Sequence, residues 1–322
     1  MTVSTDSYAP LVAVVGATGT QGGSVVRNLI ASDKPYRIRA LTRDASKPAA
    51  QKFKEQGVEI YVVNLAVGNE NAVREAFKGA NVVFGMTNFW EHMDPAREIA
   101  EGKLMADQAK AAGVGLFIFS GLPNVTKLSN GKYTKVVHFD DKAAVVDYAR
   151  TQLPTVDVQA GFYMTNLADN NFAPAKQSDG TYIWAQPAPG DAPYPYLDIE
   201  RDYGLFVRFA IESPEYNRGG GTIHSYGEHL TSKQVAALIE KLRGVKITIT
   251  EPTAEERFAK YSTFGLPQHI LEDILESRFG VELGYYFGQE LSDEQQKIRA
   301  ALPRKLGTLE EFLVAKPELF AA

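Results

Sequence analysis

The run Leu11-Val12-Ala13-Val14-Val15 passes straight into Gly16, Gly19 and Gly22, and then into Val25, Val26, Leu29 and Ile30 at helical spacing. A short valine-rich run reads as a strand buried on both faces, and the pattern after it as the apolar side of a helix. Strand, glycine turn and helix in that order constrain the fold more than any other feature, because each glycine has its own task. Gly16 permits a sharp turn, Gly19 lets the backbone approach a pyrophosphate, and Gly22 lets the helix lie close on the strand. The unpaired N–H groups at the helix start then face an anion. Thr18, Thr20 and Gln21 lie between these glycines and join Gly16, Gly19 and Gly22 as candidate contacts to a dinucleotide.

A second alternating run, Tyr36 to Thr42, follows that helix, and its tip delivers Arg43, 21 residues beyond Gly22. At this tip an acid hydrogen-bonds the ribose 2′-hydroxyl of NAD, whereas a basic residue accommodates the 2′-phosphate of NADP. Arg43, with Lys47 four residues on, favours NADP(H); Asp44 leaves NAD open. Further strands are predicted over Val58–Val63, Asn81–Met86, Val114–Phe119 and Thr155–Ala160. Helices over 47–56, 69–77 and 95–112, and one within 133–150, alternate with them. With right-handed crossovers this alternation predicts an α/β fold, a doubly wound parallel (Rossmann) sheet. Ile99, Gly102, Ala106 and Ala109 share one face of the helix that Asp94-Pro95 opens, and their small size suits packing on that sheet.

Strand tips line the ligand crevice of such a sheet. Thr87 and Asn88, after the fourth strand, are therefore candidate cofactor contacts, and Phe89 and Trp90 are lid or core aromatics. Ser120 ends the fifth strand, where it either orients a substrate or caps a turn. Beyond the sixth strand lie Phe162 and Asn166, as cofactor contacts, and Tyr163, as a possible acid. From there the pattern loosens. Residues 174–198 are dense in proline, glycine and aromatics and read as a loop-rich, substrate-side region. A helix over 201–212, a short strand over 222–225, a helix over 231–243 and a strand over 245–250 precede a mostly helical tail. The chain thus divides into a dinucleotide-binding domain over residues 1–160 and a smaller, mostly helical lobe over 161–322, some segments of which return to the sheet.

Composition removes several function classes. A net charge of −5 with no basic stripe argues against direct nucleic-acid binding. The absence of cysteine excludes disulfides, thiolate metal sites and a cysteine nucleophile. His224 and His229 are five apart and the other histidines isolated, so no metal site is expected. A polar start and the lack of a long apolar run predict a soluble cytoplasmic protein, with nuclear residence also open, and no membrane contact. A monomer or loose dimer is expected.

Several of these pieces together resemble the NmrA-like family, an atypical branch of the short-chain dehydrogenase/reductase superfamily. They are Val15-Gly16-Ala17-Thr18-Gly19-Thr20-Gln21-Gly22-Gly23, Leu41-Thr42-Arg43, Thr87-Asn88-Phe89-Trp90-Glu91, Phe119-Ser120-Gly121-Leu122 and His138-Phe139-Asp140-Asp141-Lys142. Their order covers about the first 170 residues; Phe264-Gly265-Leu266-Pro267 and Gly284-Tyr285-Tyr286 match more loosely. The resemblance implies NADP(H) binding, and two roles: redox-sensing regulators that contact transcription factors, and working reductases. Most of the superfamily uses Tyr-x-x-x-Lys, whose tyrosine gives a proton while the lysine holds the ribose. Here His138-x-x-x-Lys142 stands in that place, with both side chains on one helix face. Lys142 can still grip the ribose. His138 is inert, a proton donor or a partner contact; Tyr163 is a substitute acid from another strand end. The expected function is an NADP(H)-binding redox or nucleotide sensor with a regulatory protein partner. The alternative is an NADPH-dependent reductase of a small carbonyl, enone, quinone or imine compound.

Overall fold

A computed structural model describes residues 3–168, 173–186, 192–278, 283, 286–287 and 293–321. Gly284 and Tyr285, and Pro187 and Pro189 of the proline-rich stretch, lie outside the described residues. The strands in chain order are β1 (Leu11–Val14), β2 (Arg37–Thr42), β3 (Glu59–Val62), β4 (Val82–Gly85), β5 (Leu116–Phe119), β6 (Thr155–Ala160), β7 (Phe162–Tyr163), β8 (Ala175–Lys176), β9 (Tyr182–Ala185), β10 (Pro193–Leu197), β11 (Thr222–Ser225), β12 (Glu228–Thr231) and β13 (Ile247–Thr250). Seven of them form one parallel sheet in the order β11-β6-β5-β4-β1-β2-β3. The order reverses at β1, which places a crevice at its C-terminal end.

β1 is buried throughout, and its alternate residues serve two cores. Val12 and Val14 pack with Val25, Val26 and Leu29 of α1 (Thr20–Ile30). Leu11, Ala13 and Val15 face the other way, toward Val73 and Phe77 of α3 (Glu70–Phe77), Leu104 and Met105 of α5 (Pro95–Ala111), and Val145 and Val146 of α7 (Val137–Gln152). Two shorter helices, α2 (Pro48–Glu55) and α4 (Phe89–His92), follow β2 and β4; α6 (Val125–Leu128) precedes α7. On the small face of α5, Ala106 and Ala109 are buried in the core shared with the sheet, whereas Gly102 meets α7. A Cβ on Gly102 would fall 2.3 Å from Val145 Cγ2, so the missing side chain is what lets α5 and α7 approach.

The chain beyond residue 160 is wedded to the sheet. β11 extends it past β6, and α8 (Ile199–Glu212) covers α1. There Gly204 donates its N–H to Ser24 Oγ at 3.0 Å, and a Cβ in its place would lie 2.2 Å from Ser24 O. The remaining strands form two three-stranded sheets, β12-β10-β7 and β13-β9-β8. With α9 (Ser232–Arg243) and the helix Leu309–Val314 they enclose a separate core around Met164, Trp184, Tyr196, Val235, Ile239 and Phe312.

The loop-rich reading of 174–198 is therefore corrected: β8, β9 and β10 lie in it. Tyr182 and Trp184 are buried while Ile183 is exposed, the alternation of a strand, and β13 supplies the pairing. Prolines in β10 hid that pattern, since proline lacks the ladder N–H. The lobe is mixed, with α10 (Ala254–Ser262), α11 (Gln268–Glu276) and Asp293–Ala300 as its further helices. Among the described residues no helix is long and apolar enough to cross a membrane.

Candidate functional site

The crevice is built first from backbone. Gly16 turns the chain out of β1 at φ +64°, and Gly19 is the N-cap of α1 with no side-chain capping bond. The amides of Thr20, Gln21 and Gly22 therefore point out of the first turn with no capping oxygen, a cradle for an anion. Gly22 sits where a Cβ would meet Gly16 O at 2.4 Å and Val15 O at 2.6 Å. Both are main-chain atoms, so any side chain there would push α1 off the turn. These contacts fit a dinucleotide's paired phosphates, and their source is local sequence.

Side chains then close the crevice from both flanks. Thr18 Oγ1 lies 3.4 Å from Thr42 Oγ1 at the tip of β2. Gln21 is buried, and its amide donates to Ser120 Oγ at 2.9 Å and to Tyr163 OH at 2.7 Å. Residues 99 and 142 positions away along the chain are thereby tied to the glycine turn. Burial pushes the Tyr163 phenol well above its usual pKa, and burial is its only cause. The phenol is therefore held neutral, accepting from Gln21 with its own proton still to give. Ser120 is equally spoken for, as a buried acceptor between strand tip and glycine turn.

Arg43 reaches from the tip of β2 to Glu91 in α4, with Nη2 3.0 Å from Oε2 and a second bond from Nη1 to Oε1. The bond raises the Arg43 pKa and holds the Glu91 carboxyl below its usual value. Asn88 Nδ2 donates to Glu91 Oε2 as well, at 3.3 Å. Lys47, by contrast, is the exposed N-cap residue of α2. Phe162 packs its ring against Tyr194 and Tyr196 in the lobe. Asn166 is half-buried in the 3₁₀ turn Met164–Ala168.

At the other end of the crevice stands a buried charge network. Lys142 Nζ donates to Glu98 Oε1 at 2.5 Å, to Thr87 Oγ1 at 2.9 Å and to Thr87 O at 3.1 Å. Thr87 Oγ1 in turn donates to Glu98 Oε1 at 2.6 Å, so the tip of β4, α5 and α7 meet in one cluster. Glu98 is fully buried. His92 Nδ1 accepts the Asp94 N–H at 3.1 Å, which leaves the ring proton on Nε2, 3.6 Å from Glu98 Oε2. Beside Lys142, burial together with the charges of Glu98, Asp140 and Asp273 pushes the Asp141 carboxyl up to about 7.

One turn before Lys142 is His138. Its Nδ1 lies 2.6 Å from Asp273 Oδ1, and its backbone N–H donates to Asp273 Oδ2 at 3.0 Å. Asp273 is fully buried on α11, 135 residues away. The imidazole packs against Trp90, at 5.0 Å between ring centroids, and against Phe89 and Phe139. Among the described residues nothing engages Nε2. A carboxylate on Nδ1 keeps a proton on that nitrogen and fixes the orientation of the ring. Phe89 belongs to the core and Trp90 to the crevice wall, buried and half-exposed respectively.

The sequence did not disclose Glu98, Asp273 or a role for Glu91. Glu98 in a helix's first turn reads as a dipole partner facing water. Asp273 sits in Leu271-Glu272-Asp273-Ile274, where nothing separates a buried acid from an exposed one.

A family model described as the NmrA-like family matches residues 9–313. The chain belongs to the NmrA-like family. One relative in it is the NmrA-like family domain-containing oxidoreductase hkm9 of Aspergillus hancockii, 31% identical over 312 residues, 91% of this chain and 89% of that one. Among solved structures, NmrA, a negative transcriptional regulator, superimposes in its complex with NAD at a TM-score of 0.76 and 25% identity. Its complex with NADP superimposes at 0.75 and 25% identity, and each comparison covers 94% of both chains. This NmrA-like chain is thus similar over most of its length to a named oxidoreductase in sequence and to a named regulator in structure.

Proposed function

We propose that the chain is an NADP(H)-dependent reductase of a small, largely apolar carbonyl, enone, quinone or imine compound. The carrying observation is the buried Asp273 on Nδ1 of His138, one helical turn from Lys142 and against Trp90. The glycine turn would hold the cofactor's phosphates, Arg43 its 2′-phosphate in exchange for Glu91, and Lys142 its nicotinamide ribose while Glu98 stays its partner. When bound, the nicotinamide supplies a hydride to the substrate carbon. The protein's own part is the proton. Charged His138 gives its Nε2 proton to the substrate oxygen or nitrogen and returns to the neutral Nδ1–H form, which Asp273 holds in place. Trp90 and Phe139 supply apolar walls that exclude water from the acceptor atom.

The test is NADPH consumption over a panel of quinones, enones, ketones and imines, with NADPH affinity measured in parallel. His138→Gln is expected to lower turnover by about 10²-fold or more and leave NADPH affinity within about threefold. Unchanged turnover in that variant would overturn the assignment.

One observation favours a second reading, a nucleotide-sensing regulator acting on a protein partner such as a transcription factor. The two cations aimed at the cofactor, Arg43 and Lys142, are both engaged by carboxylates. Nucleotide binding would re-pair the exposed Arg43 and alter the crevice mouth. NADPH binding with no consumption on any panel member supports this reading instead.

A further inference from the structure

The geometry points to Glu91 as the residue that tunes discrimination between the two nicotinamide dinucleotides. This inference rests on the dinucleotide reading of the crevice. β2 and β4 flank β1 on opposite sides, and Arg43 follows β2 while Glu91 lies in α4, just beyond β4. Their two-pronged pair therefore ties together the two segments that flank β1 beyond its C-terminal end, where the Gly16 turn begins. A nucleotide seated on that turn has to pass beneath the bridge or displace it.

Both partners are solvent-accessible, Arg43 at 61% and Glu91 at 39% of their side-chain surface. An exposed pair of this kind is held by only about 0–1 kcal/mol. A phosphate monoester carries close to two negative charges and fits the guanidinium fork as well as a carboxylate does. The 2′-phosphate of NADP(H) thus competes directly with Glu91 for Arg43, and once bound it has Glu91's charge as a neighbour. A ribose 2′-hydroxyl does neither. Glu91 accordingly lowers affinity for the phosphorylated cofactor and leaves NAD(H) almost untouched. Asn88 reinforces this by holding Glu91 toward Arg43.

Calorimetric titration of the full chain with NADPH and with NADH tests the assignment. Glu91→Gln is expected to tighten NADPH by about two- to fivefold and to move NADH by less than about twofold. In an Arg43→Gln background the gain from Glu91→Gln is expected to shrink, because the contested cation is gone. Equal shifts for both nucleotides, no shift for either, or an undiminished gain without Arg43 would overturn the role of Glu91 while leaving the dinucleotide site intact. Failure of the wild-type chain to bind either nucleotide would instead remove the site itself.

Discussion

The two ends of the crevice are made by different physics. The nucleotide end is backbone: a left-handed glycine, a bare helix N-terminus and a strand–helix contact that admits no Cβ, finished by one exposed ion pair. At the reaction end are buried charges held by partners from distant segments, with Glu98 and Asp273 wholly out of water. The first end is cheap to rearrange and specified locally. The second is rigid, costly to disturb, and exists only after the chain has folded.

That contrast breaks most visibly at Glu98. Glu98→Gln leaves the Lys142 ammonium buried without its counter-charge, and removing one partner of such a pair costs about 3–5 kcal/mol. Chemical denaturation should show a loss of that order; a loss under about 1 kcal/mol would mean that the network is no more than a surface pair. At the nucleotide end Glu91→Gln should leave stability within about 0.5 kcal/mol.

A smaller effect sharpens the same distinction through pH. The Asp141 carboxyl titrates near 7 in the fold, against 3.8 for an unperturbed group, because it is buried among other acids. Between those values the folded chain binds more protons than the unfolded one, so this group's contribution to stability falls as pH rises through that window. Asp157, buried within β6, is pushed up to about 7 by the same desolvation. His224 acts in the opposite sense, since burial lowers it to about 4. The Asp141→Asn variant isolates one group from this mixture. Its melting temperature relative to wild type should rise by about 2–5 °C on going from pH 4 to pH 8. A difference independent of pH would contradict a buried, proton-holding Asp141. The smallest effect is the two- to fivefold change in NADPH affinity already assigned to Glu91.

The same division explains what could be read from sequence. The sheet, its order around β1 and the glycine turn follow from periodicity and from three glycines whose spacing has a mechanical meaning. Arg43 was legible because its distance from Gly22 puts it at a strand tip. Its partner was not, since nothing in Phe89-Trp90-Glu91-His92 says that a glutamate will reach back across β1. Likewise Gly102 was recognisable as a packing glycine but its partner, Val145, was not. In the lobe, prolines masked β10, and short strands whose partners lie far along the chain carry little signal of their own. Lys142 and His138 were found as a motif; the acids that give them chemistry, Glu98 and Asp273, come from 44 and 135 residues away.

The central claim is that His138, held by Asp273, delivers a proton to a substrate lying beside the nicotinamide. A structure of the chain with NADP(H) and a slow or inert substrate analogue tests it most directly. The account predicts that His138 Nε2 stands within about 3 Å of the analogue's oxygen or nitrogen, with Nδ1 still on Asp273. An acceptor atom out of reach of Nε2, or a nicotinamide pocket filled by Trp90, would contradict it.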